Sequence, residues 1–165
     1  MVGDDFEPYL TNGHWTSADE GWVFESAWVW GWATFHYGRW VWDARNTRWL
    51  WSPDLAWGPS WVQWRIVDNT VAWVPIAPRT VTVDPRVYAP LWIAVETRSF
   101  LRPDLARYRI AASPRVLAGR STPPALPPRT GPAAPARRGP PRKTIAASRP
   151  GAPMRPAPGK PPAGR

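Results

Sequence analysis

The chain has no cysteine, two lysines, two histidines and, over residues 114–165, no acidic or aromatic residue at all. Without cysteine there are no disulfides, no thiolate metal sites and no cysteine nucleophile. No apolar run approaches the roughly 20 residues of a membrane-spanning helix. The two histidines, His14 and His36, stand outside any HExxH-type spacing, so no metal site is legible. A nucleophile elbow, a Gly-rich phosphate loop and a dinucleotide-binding fingerprint are all missing, and no cofactor is expected. Asp19, Glu20 and Glu25 could imitate a glycosidase carboxylate pair. They lie in or beside an expected turn, where acids are common, and the pattern of a dedicated catalyst is not there.

What is present divides sharply near Ser113. Of 165 residues, all fourteen Trp, four Phe, four Tyr and twelve acids precede that point. Residues 1–113 carry ten basic and twelve acidic side chains, net −2, whereas residues 114–165 carry eleven basic ones, +11, with fifteen of the 23 Pro. The basic character therefore belongs to the tail, and the folded part does not read as a nucleic-acid-binding domain. Two units are expected: a Trp-rich domain over 1–113 and a basic Pro-rich tail over 114–165. The tail offers few residues to bury, among them Val116, Leu117, Leu126 and Ile145. Disorder is expected there, extended by repulsion among Arg137, Arg138, Arg142 and Lys143. Those four residues are the candidate electrostatic contacts to an anionic polymer; a solubilising spacer is the plainer reading.

Residues 12–65 contain an internal repeat of 25–27 residues, aligning Trp15 with Trp40, Trp22 with Trp49, Phe24 with Trp51 and Trp30 with Trp57. A shorter echo is Ala72-Trp-Val-Pro75. Within each unit aromatic residues recur at i and i+2, the period of a strand. The spacing predicts strands around Trp22–Phe24, Trp28–Trp32, Arg39–Trp42 and Trp49–Trp51; the echo adds one at Ala72–Val74, and Val87–Val95 reads as a last strand. Asn12-Gly13, Asp19-Glu-Gly21 and Asp43-Ala-Arg-Asn46 supply turns. A helical turn is expected near Pro103. The fold class is all-β: antiparallel hairpins arranged as a sandwich, open barrel or short β-solenoid.

The run Trp30-Gly-Trp-Ala-Thr-Phe-His-Tyr-Gly-Arg-Trp40, followed by Trp49-Leu-Trp-Ser-Pro53 and Trp57-Gly-Pro-Ser-Trp-Val-Gln-Trp-Arg65, resembles a Trp-rich exported bacterial family, domain of unknown function 6600. The resemblance spans roughly residues 8–110 and is most specific in His36-Tyr-Gly-Arg-Trp40. It implies a periplasmic or secreted envelope protein with a low-complexity tail and carries no activity. The sequence departs from the family pattern at Thr34, where Pro is common, and at Arg48, where Gly is usual. Its acidic, polar start, Met1-Val-Gly-Asp-Asp5, replaces the basic and apolar signal expected, which suggests a truncated or processed start.

Most Trp are expected to form the core, because each offers about 150–250 Å² to bury. Those left at the surface would suit stacking on sugar rings. The candidate platform comprises Trp28, Trp30, Trp32, Trp40, Trp42, Trp61 and Trp64, with Arg39 and His36 beside them. His36 reads first as a structural imidazole bonded to a neighbouring strand. Arg39 and Arg65 could lie flat on indoles or, more simply, pair with Asp43 and Asp68. Two functions follow: a non-catalytic envelope module binding glycan or another anionic envelope polymer, or an assembly scaffold whose aromatic faces are all covered. Nucleic-acid binding through the tail is the weaker third.

Overall fold

The computed structural model of the protein describes residue 3, residues 5–119 and residues 139–147. Among the described residues there are eight strands, the first six forming antiparallel hairpins: β1 (Gly13–Ala18) with β2 (Gly21–Ser26), β3 (Tyr37–Asp43) with β4 (Arg48–Trp57), and β5 (Val62–Val67) with β6 (Thr70–Pro75). The third hairpin continues into β7 (Ile93–Glu96) and β8 (Arg109–Ile110), giving a four-stranded sheet beside two two-stranded ones. None of the three sheets closes into a barrel.

The repeat becomes a structural rule. Each hairpin places at least one aromatic pair directly across its ladder: Trp15 opposite Phe24, Trp40 opposite Trp51 with Trp42 opposite Trp49, and Trp64 opposite Trp73. Cross-strand aromatic pairs are the unit of sheet stabilisation. Here they also supply the core, where Trp15 packs edge-on to Phe24 at 5.3 Å and to Trp73 at 5.6 Å, with Tyr9, Phe35 and Phe100 filling between.

The two central strands of the four-stranded sheet are covered on both faces. On β6 and β7, Val71, Trp73, Ile93 and Val95 enter the main core, while Ala72, Val74 and Ala94 join Trp92 and Val116 in a second, smaller cluster. This explains the apolar runs at Val71–Val74 and Ile93–Val95, since a strand buried on both faces loses its polar alternation.

Two expected strands are corrected. Trp28–Trp32 is a bend followed by α1 (Gly31–His36), because Ser26 occupies the space a Cβ at position 31 would need and the chain turns there. The strand expected from Val87 begins only at Ile93. Pro85 opens the short helix α2 (Pro85–Tyr88), with the Asp84 carboxylate accepting from the Arg86 N–H at 2.8 Å, and Pro90 lies in the following 3-10 turn, Ala89–Leu91. The turn expected near Pro103 is the 3-10 helix Leu105–Tyr108.

Two short parts of the tail differ from the expectation of disorder. Ser113 caps α3 (Pro114–Ala118), whose Val116 is fully buried against the back of the four-stranded sheet. Farther on, α4 (Arg142–Ala147) packs on the 3-10 turn Thr97–Ser99 and sinks Ile145, 2% exposed, into the main core. A single branched apolar side chain in the right place suffices to dock each piece, whatever the surrounding composition. Arg142 and Lys143 are exposed on α4, whereas Arg137 and Arg138 lie outside the described residues, as does the rest of the expected disordered tail.

Candidate functional site

Of the fourteen Trp, all among the described residues, only Trp30 and Trp32 are exposed, at 38% and 62%. Both sit where β2 ends and α1 begins. The Trp28 N–H donates to Ser26 Oγ at 3.2 Å and the Gly31 N–H to the Trp28 carbonyl at 2.9 Å, folding the segment back on itself. Trp28 and Trp30 then stack, 4.7 Å apart at 13°, and Trp28 leans edge-on against Phe6 at 5.6 Å. Phe6 in turn contacts Trp40 at 4.9 Å, so the surface stack is continuous with the core. Trp32 meets Tyr37 edge-on at 6.1 Å. The exposed Val29 completes an apolar ledge.

The remaining platform candidates are placed elsewhere. Trp40 and Trp61 are buried and belong to the core, and so does Arg39, whose guanidinium lies 3.2 Å from the centre of the Trp61 indole and donates to the Gly38 carbonyl at 2.8 Å. Burial pulls Arg39 down to about 10, which leaves it charged at neutral pH. Arg65 lies 4.0 Å over Trp92. Stacking on indole, not pairing with Asp43 or Asp68, is thus the arrangement of both arginines; Asp43 faces Arg48 and Asn46, and Asp68 faces Arg115. Trp42 is half-buried against Trp49 on the β3–β4 hairpin, and Trp64 is half-buried against the main core. His36 faces the Gly58 carbonyl across 3.1 Å through Nδ1 and lies beside Trp57, and its burial lowers its pKa, favouring the neutral ring. The Gly58 carbonyl belongs to the residue just after β4, so the imidazole is held by a loop rather than by a neighbouring strand.

A groove elsewhere on the surface is not legible in the sequence. An open groove of about 400 Å³ runs between the start of β1, the end of β2 and the segment Pro103–Arg107. The β1–β2 register sets His14 opposite Glu25, with Nε2 3.5 Å from Oε2, while the Thr16 hydroxyl donates to the other Glu25 oxygen at 3.0 Å. Asp104 and Arg107 line the far wall. Only the hairpin register, not residue spacing, could have paired His14 with Glu25. Asp19 and Glu20 sit in the turn at the other end of this hairpin, so the three acids do not gather. Among the described residues no group of three or more His, Asp or Glu side chains is arranged to hold a metal. No described helix is long and apolar enough to cross a membrane.

No curated protein and no solved structure matches the chain. The family comparison is positive and ends in the loop after β6, short of the span over which the sequence resemblance was read. Residues 1–80, which hold all three aromatic hairpins and the Trp28–Trp32 corner, match the model of a family of unknown function (DUF6600).

Proposed function

We propose that the protein is a non-catalytic binding module of the cell envelope that takes glycan on the Trp30–Trp32 ledge. The observation that carries this reading is that twelve of fourteen Trp are buried or half-buried while two, adjacent and braced from behind, are exposed. Leaving a rigid indole in water forfeits burial that the other twelve achieve, and a stack tied to the core presents its ring without further ordering cost. The flat apolar face of a pyranose matches such a surface. Arg142 and Lys143, exposed on α4, add attraction to an anionic polymer that salt screens. The envelope location rests on the sequence resemblance.

The test is retention of the full-length chain on cell-envelope polysaccharide in 1 M salt, where the Debye length is about 3 Å and tail electrostatics are suppressed. The wild-type chain should be retained and Trp32→Ala should not, with unchanged near-ultraviolet circular dichroism in both. No retention of a folded wild-type chain would favour a second reading, an assembly scaffold. Val29, 92% exposed next to the indoles, supports that one, because an aliphatic side chain suits a protein partner better than a sugar. Fractionation of cells expressing the full reading frame tests the location.

A further inference from the structure

In the one Gly-Pro-Pro tripeptide of the chain, Gly139-Pro-Pro141, Gly139 lies in a slot between two indoles and Pro141 emerges exposed beyond it. Gly139 and Pro140 are both buried. A Cβ at position 139 would stand 2.5 Å from Trp22 Cδ1 and 2.9 Å from Trp64 Cε2, so the passage admits glycine and nothing larger. Trp22 donates its indole N–H to the Pro140 carbonyl at 2.9 Å. Proline at 140 has no N–H that the apolar slot would leave unpaired, and its fixed φ lowers the ordering cost. The Pro141 carbonyl then accepts from the N–H groups of Thr144 and Ile145, turning the chain into α4 and aiming Ile145 into the core while Arg142, Lys143 and Thr144 stay exposed.

An aromatic-walled slot, an indole donor to a prolyl carbonyl and a following apolar anchor are the chemistry by which proline-rich segments are recognised. We propose that the Trp22–Trp64 slot is a peptide-recognition site for Gly-Pro-Pro segments carrying an aliphatic anchor four residues beyond the second proline, and that the chain's own residues 139–145 occupy it as a tethered, exchangeable ligand. The occupant is the only piece of the chain with this sequence. Covalent linkage through residues 120–138 makes its binding intramolecular, so a competitor in trans is disfavoured while the chain is intact.

The experiment cuts the tether. A site-specific protease sequence replaces residues 126–132 of the full-length chain, and a fluorescein-labelled peptide of residues 137–147 is the probe. After cleavage the fragment bearing residues 139–165 should co-elute with the body, and the labelled peptide should exchange into the cut protein at least about tenfold more readily than into the uncut one. A Gly139→Leu peptide should bind about tenfold or more weakly, since the extra side chain must displace indole. Loss of the fragment from a body that stays folded overturns the proposal, as does exchange that ignores Gly139→Leu or is equal in cut and uncut protein. A fragment that never exchanges, or a body that unfolds when the fragment leaves, makes residues 139–145 an integral part of the core and overturns it equally.

Discussion

Tyr9 ties three rings of the core to two backbone groups. Fully buried, it contacts Trp15, Phe24 and Phe35, while its hydroxyl donates to the Phe35 carbonyl at 3.1 Å and accepts from the Trp61 N–H at 3.2 Å. Tyr9→Phe keeps the ring and strands two buried backbone groups, so a loss of about 1–3 kcal/mol in urea-derived stability is expected. His36 gives the molecule an acid-side slope. Desolvation holds its folded pKa below its ordinary 6.5, so unfolding takes up a proton between those two values. Its contribution is complete above about pH 6.5 and fades as pH falls through the lowered folded value. Urea midpoints measured from pH 8 down to pH 5 should decline in the wild-type chain and decline less in His36→Gln. From the sequence alone an Asp partner is the simpler expectation for Arg39, with stacking on an indole second. The three-dimensional neighbour, Trp61, lies on the far side of a whole hairpin, out of reach of local pattern.

At the scale of elements, the i, i+2 aromatic spacing is sufficient to find β2, β3 and β4, the short Ala72-Trp-Val-Pro75 echo finds β6, and the 25–27-residue offset shows the first two hairpins to be copies. The same spacing failed at Trp28–Trp32. Alternate rings there do not line one face of a strand; Trp28 and Trp30 stack on one another across a bend, which also brings i and i+2 together. The signal that separates the two cases is Gly31, read against a Ser26 five residues earlier, and it exists only once the backbone has turned. Gly31→Ala should therefore cost about 1–3 kcal/mol by overpacking. Ser26→Gly in the same chain should recover part of it, the remainder being the lost acceptor for the Trp28 N–H. Thermal midpoints of the two single variants and the double variant check this coupling.

For the whole molecule, composition predicts a folded half and an unstructured half, and averages conceal two places, among the described residues, where the second half returns to the first. Val116 lies beneath Trp92 and Val74, where the Arg65 guanidinium, stacked on that indole, also donates to the Val116 and Leu117 carbonyls. Ile145 lies among the main core residues. Nothing in a Pro- and Arg-rich string distinguishes an apolar residue that will be buried from one that will not; the receiving slot does. Ile145→Ala should lower the stability of the full-length chain by up to about 2–5 kcal/mol while leaving it folded at 25 °C, and calorimetry with near-ultraviolet circular dichroism tests both halves of that statement. The position of Ile145 also has a temporal consequence. A chain leaving the ribosome displays its aromatic hairpins long before residue 145 exists. At about 5–20 residues per second, the interval between Leu105 and Ile145 is on the order of 2–8 s. During that interval Trp22 and Trp64 await their own carboxyl-terminal segment, and a nascent protein in a crowded polysome offers its neighbours the same unfilled slot.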